Sequence, residues 1–123
     1  MAQVRYIVHD VDASVAFYTT HLGFELEQQF GPAMAILVRN DLRLWVAGPG
    51  ASASRPMPDG AQPEPGGWGR FVLTVDDLES FVATLRDSGV SFKNDVVTGP
   101  GGRQILCEDP SGNVIELFEP NRG

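Results

Sequence analysis

Apolar and polar positions alternate along this chain in an order that occurs twice. In residues 3–9, Val4, Tyr6 and Val8 share one face, and Gln3, Arg5, Ile7 and His9 share the other, the period of a strand. The period then changes. Val11, Val15, Tyr18 and Leu22 follow helical spacing, with Asp12 as the expected N-cap and Gly23 at the left-handed closing position. Three strands are predicted near 24–29, 33–39 and 42–47, with Asn40-Asp41 turning between the last two. The second half repeats the order: a strand over 69–75, a helix over 77–88, and strands near 91–96, 103–108 and 113–118. Asp109-Pro110-Ser111-Gly112 supplies a turn, with proline where its fixed φ is wanted.

The halves also align residue by residue. Asn40-Asp41-Leu42-Arg43-Leu44-Trp45-Val46-Ala47-Gly48-Pro49 lies without a gap on Ser111-Gly112-Asn113-Val114-Ile115-Glu116-Leu117-Phe118-Glu119-Pro120. On the four equivalent strands, one face is purely apolar: Val4, Tyr6, Val8; Leu42, Leu44, Val46; Phe71, Leu73, Val75; Ile115, Leu117. The opposite faces are mixed, with Gln3, Arg5, Arg43, Trp45, Arg70, Thr74, Glu116 and Phe118 among them. Sheets with helices on one side and an open, partly polar cleft on the other give this alternation. Function is expected on the mixed faces. Between the halves, residues 48–67 are half glycine and proline, which sustains neither a helix nor a central strand. That stretch reads as a connector, either a passive linker or a flap.

Composition narrows the partners. A chain of 123 residues, 42% of them hydrophobic, fits one domain with a core of ordinary size. The single cysteine, Cys107, excludes an internal disulfide and suits a reducing cytosol. No basic segment followed by an apolar run opens the sequence, and no stretch approaches the roughly 20 apolar residues of a membrane helix. A cytoplasmic protein with no membrane partner is expected. The net charge of −7 repels a phosphate backbone, so nucleic acid is not an expected partner either.

Val8-His9-Asp10-Val11-Asp12, Phe17-Tyr18 and Leu22-Gly23-Phe24, then Asp109-Pro110-Ser111-Gly112-Asn113 and Ile115-Glu116-Leu117-Phe118, resemble the vicinal oxygen chelate superfamily of glyoxalases, bleomycin resistance proteins and dioxygenases. The resemblance spans nearly everything outside the connector. It implies an α+β fold of two tandem βαβββ modules, curled mixed sheets around a cavity with helices on the outer face, within a homodimer. A single domain over 1–123 is expected, with module one at 1–47, the connector at 48–67 and module two at 68–120.

In metal-dependent members of that superfamily, ligands come from the start of the first strand and the middle of the last strand of each module. Counting back seven residues from Asp10 and Asp77 gives Gln3 and Arg70; the last strands give Trp45 and Glu116. Arginine stays protonated and tryptophan offers no lone pair, so two of the four positions cannot bind a cation. A catalytic zinc wants three protein ligands and an open position. His9 shares the side-chain parity of Gln3 but lies about 20 Å further along the strand, too far to complete a site. His21, in the last turn of the first helix, reads as a surface residue suited to the helix dipole. No metal and no cofactor are expected.

A carboxylate in mid-strand needs a partner if it is buried, and Arg70 is placed to provide one for Glu116. The pair reads either as a structural ion pair or as polar groups at the floor of a binding site. Trp45, Phe118 and Trp68 supply rings on which a planar ligand can stack, Trp68 reading equally as a cap on the core. Gly99-Pro100-Gly101-Gly102 lacks the lysine and following helix of a phosphate loop, and Ser111 and Cys107 lack the setting of a nucleophile. The expected ligand-binding set is Gln3, Arg5, Trp45, Trp68, Arg70, Glu116 and Phe118. Two readings follow: a metal-free protein that sequesters an aromatic, antibiotic-like small molecule, or a glyoxalase-like lyase, isomerase or dioxygenase that uses Glu116 with or without a weakly held divalent metal.

Overall fold

The computed structural model describes residues 1–121. Two compact units emerge: Met1–Gly66 with the turn Pro110–Asn113, and Gly67–Asp109 with the described residues from Val114 onward. Each holds one helix and one open, four-stranded mixed sheet.

In the first unit, β1 (Ala2–Ile7), α1 (Val11–His21), β2 (Glu25–Phe30), β3 (Met34–Arg39) and β4 (Leu42–Ala47) follow in sequence. The sheet order is β1-β4-β3-β2, with β1 parallel to β4 and the other pairs antiparallel. Tyr6, Val8, Leu44 and Val46 are buried on the face that receives α1, together with Ala35 and Leu37 of β3. Helix α1 sends Val11, Phe17 and Tyr18 into this core, and Leu22 and Phe24 join them just beyond its end. Asn40, at φ 52°, makes the β3–β4 turn, a left-handed conformation that asparagine tolerates.

The helix begins two residues before the position expected from Asp12. Asp10 is extended and is the N-cap, its Oδ1 accepting from Ala13 N–H at 3.1 Å. Val11 is buried and anchors the first turn, so the chain must already be helical there. Asp12 sits inside that turn, near the positive end of the dipole, and accepts from Gln29 Nε2 at 2.7 Å.

The glycine- and proline-rich stretch falls almost wholly within the first unit. It contains one 3₁₀ turn, Ser52–Ser54, where no helix is expected. That turn is short enough to be held by local bonds: Ser54 N–H donates to the Ala51 carbonyl, and Ser54 Oγ–H to the Gly48 carbonyl at 2.7 Å. The far end is tied by buried Asn113, whose Oδ1 accepts from Gly66 N–H while its Nδ2 donates to the Ile7 carbonyl. One amide side chain thus links the end of the first strand to the end of the connector.

In the second unit, β5 (Phe71–Thr74), α2 (Leu78–Asp87), β6 (Val97–Gly99), β7 (Gly102–Glu108) and β8 (Val114–Pro120) form the sheet order β5-β8-β7-β6. Strand β5 runs parallel to β8, as β1 does to β4. Phe71, Leu73, Val75, Ile105, Ile115 and Leu117 are buried, and Leu78, Val82 and Leu85 of α2 are buried with them. Asp77 caps α2, and Glu119 Oε1 accepts a second N–H of its first turn, that of Leu78.

The strand expected near 91–96 does not form. Only an isolated bridge joins Phe92 to Cys107, and regular pairing starts at Val97. Asn94 explains the interruption: its side-chain Oδ1 takes the Leu106 N–H at 2.9 Å, a bond that a backbone carbonyl would otherwise accept. Close approach also governs the start of β7. A Cβ at Gly102 would lie 2.1 Å from the Glu119 carbonyl oxygen.

Candidate functional site

The registers of the two parallel strand pairs fix where the candidate residues stand. Arg5 is opposite Trp45 and Val72 is opposite Glu116, so Gln3 and Arg70 each precede the partner of the last-strand residue by two positions. The equivalence read from the gapless alignment is therefore present in the backbone. In each unit the first-strand and the last-strand candidate bond to one another.

In the first unit, Trp45 Nε1–H donates to Gln3 Oε1 at 2.7 Å. The Arg5 guanidinium carbon lies 5.0 Å from the centre of the Trp45 ring. The indole is thus held at its N–H edge by an amide and across its face by a cation. Trp45 is half-buried, while Gln3 and Arg5 are exposed. On the same face, Ile36 of β3 lies opposite Trp45 and is buried.

In the second unit, Arg70 Nε–H and Nη2–H both donate to Glu116 Oε1, at 3.1 and 2.9 Å. Glu116 is 8% exposed and sits between Val72 and Leu106 in the sheet. The arginine side chain remains 28% exposed, so the pair has one dry and one wet partner. Arg70 Nη1–H also donates to the Trp68 carbonyl at 3.3 Å, which fixes the backbone next to the ring. Trp68 itself is 70% exposed and carries Lys93 Nζ at 5.1 Å from its ring centre. Phe118 shares the Glu116 face, half-buried between Thr74 and Gln104.

A divalent ion does not fit this donor set. Gln3 Oε1 already accepts from an indole N–H, and Glu116 Oε1 accepts from two guanidinium N–H groups. Trp45 and Arg70 contribute donors where a metal needs lone pairs. Among the described residues, no group of three or more His, Cys, Asp or Glu side chains is arranged to hold a metal.

The other reactive side chains stand elsewhere. His9 is exposed and lines a cavity of about 440 Å³ with Asp10, Asp12, Pro32 and Gly50, and a smaller one of about 200 Å³ beneath Gln62–Pro65. In the second unit a groove of about 530 Å³ runs between Glu79, Val82, Arg86 and Val96. None of the three is lined by Gln3, Trp45, Arg70 or Glu116. Within each unit, the candidate residues lie instead on the sheet face opposite the helix. Cys107 is buried, and that burial pushes its thiol up to about 12, with Asp109 and Glu108 adding to the effect, so it is no nucleophile.

Sequence reasoning missed Lys93. It lies in the irregular segment that was expected to be a strand, and no spacing rule brings residue 93 to residue 68. The indole–amide bond was also not foreseen, although the equivalence of Gln3 with Arg70 and of Trp45 with Glu116 pointed to it.

No helix is long and apolar enough among the described residues to cross a membrane. Comparison with curated proteins finds no match. Solved structures share the fold. An antibiotic binding protein, TnmS3, from Streptomyces sp. CB03234 is 27% identical, with 97% of this chain and 93% of that one covered at a TM-score of 0.74. A superfamily member from Sphaerobacter thermophilus DSM 20745 is 28% identical, covering 97% and 95% at 0.76. A lactoylglutathione lyase from Agrobacterium tumefaciens is 20% identical, covering 97% and 92% at 0.77, and at that identity it speaks for the fold alone. The family model of the glyoxalases, bleomycin resistance proteins and dioxygenases matches residues 1–117. On that match and on the duplicated βαβββ order, the chain belongs to the Glyoxalase/Bleomycin resistance protein/Dioxygenase superfamily.

Proposed function

We propose that this protein binds a planar, antibiotic-like aromatic small molecule without metal and acts by sequestration. The observation that carries this reading is the mutual closure of the four positions where a metal site would lie: Gln3 with Trp45, and Arg70 with Glu116. Gln3 Oε1 and Glu116 Oε1 are engaged by protein donors, an arginine and a large ring stand where two of the ligands would be, and only Oε2 of Glu116 is left open. Gln3, Arg5 and Trp45 of the first unit, and Trp68, Arg70, Glu116 and Phe118 of the second, are the proposed contacts. The likeness to TnmS3, an antibiotic binding protein, supports the same reading. Calorimetric titration of chelator-treated protein with a panel of planar aromatic antibiotics tests it. At least one should bind with an affinity that added zinc, manganese or nickel leaves unchanged; binding that disappears on chelation and returns with metal would contradict the proposal. A cytoplasmic homodimer is part of the proposal, and light scattering at micromolar concentration should give twice the chain mass.

One observation favours a second reading. Both Arg70 donors converge on Oε1 of Glu116, and Oε2 has no hydrogen-bond partner among the described residues. A carboxylate oriented at one oxygen and open at the other can accept a proton, as a lyase, isomerase or dioxygenase would require.

A further inference from the structure

The chain has 16 acidic residues against 9 Lys and Arg. Arg43, Arg70, Arg86 and Arg103 are in ion pairs. Arg5, Arg39, Arg55 and Lys93 are in none among the described residues, and two of these four lie over a tryptophan: Arg5 over Trp45 in one unit, Lys93 over Trp68 in the other. The contrast with Arg86 is informative. It too lies over a ring, that of Phe92, but its charge is matched by Asp95. Both tryptophans are therefore accompanied by an unmatched positive charge.

This arrangement selects a ligand chemistry. A guanidinium over an indole uses its π-face and leaves its in-plane N–H donors pointing away from the ring. Those donors form a fork that fits a carboxylate bidentately. A ring plus an attached anion would thus meet a stacking surface and a preoriented donor pair in one place. The overall charge opposes anions, but its reach is limited: beyond about 8 Å at physiological ionic strength it is largely screened. Contact charges decide. Resting on the aromatic-binding reading above, we infer that the ligand is an aromatic anion, a planar ring system bearing a carboxylate, with Arg5 as the residue that selects for the charge.

The test compares two probes of equal shape, anthracenecarboxylate and anthracenecarboxamide, titrated calorimetrically into the full chain. The carboxylate should bind about tenfold more tightly at low salt, with the ratio shrinking as salt is added. Arg5→Gln should bring the ratio close to one. Arg55→Gln removes the same charge from a residue that stands on no ring, and should keep the ratio. Equal affinities for the two probes in the unaltered protein would overturn the anion inference while leaving metal-free aromatic binding intact. Absence of binding by these probes and by every planar aromatic antibiotic would overturn both. If Arg5→Gln does not fold, the probe ratio of the unaltered protein and its salt dependence still decide.

Discussion

Replacing Arg70 with methionine should destabilise the protein by about 2–3 kcal/mol, a large effect for a residue just ahead of an edge strand. The loss comes from what remains behind. Glu116 is 8% exposed, held on a central strand between Val72 and Leu106, and its Oε1 receives both guanidinium donors. Without Arg70 a nearly buried carboxylate loses its counter-charge and two hydrogen bonds together. The residual wetness of the arginine side chain keeps the expected loss below that of a fully dry pair. Removing both members is expected to cost less than removing Arg70 alone, because Arg70→Met with Glu116→Leu leaves no orphaned charge. Urea unfolding of both single variants and the double variant closes the cycle. A coupling below about 0.5 kcal/mol would show that the pair contributes nothing specific.

Trp45→Ala should weaken aromatic ligand binding by about 1–3 kcal/mol, roughly five- to 150-fold. Its ring stands on β4, between β1 and β3, fixed by Gln3 at its edge and Arg5 across its face. A ring already held in place loses little rotamer freedom when a ligand stacks on it, so most of its contact energy survives as affinity. Trp68 has one cation contact and is 70% exposed, and Trp68→Ala should therefore have the smaller effect. Titration of the two variants with the same ligand orders them; a larger loss from Trp68→Ala would assign the anchor to the wrong ring.

Much of this fold was legible because period and register leave strong marks. Alternation located β1, β4, β5 and β8 within one or two residues, since a one-residue slip would expose Leu44, Val46, Ile115 and Leu117. The gapless match of the two last strands carried the equivalence of Trp45 with Glu116 through to the parallel registers. The failures share a cause: side chains that replace backbone partners. Asp10 caps α1 ahead of Asp12 because buried Val11 pulls the first turn forward. Asn94 takes a ladder bond and ends a strand that apolar residues alone would predict. Asn113 draws the end of the connector onto the first unit by two bonds, a long-range fact that local composition does not encode. The cation accompanying each tryptophan was half visible: Arg5 shares a face with Gln3 in the sequence, whereas Lys93 reaches Trp68 only through tertiary structure.

If the protein acts by sequestration, its ligand leaves it as it arrived. Chelator-treated protein is incubated with a planar aromatic antibiotic that binds it, then denatured, and the recovered compound is weighed by mass spectrometry. A single species of unchanged mass is expected, in the amount that was bound, from the unaltered protein and from Glu116→Gln alike. A product of different mass or isomeric structure, formed by the unaltered protein and lost in Glu116→Gln, would contradict sequestration and establish the carboxylate as a base.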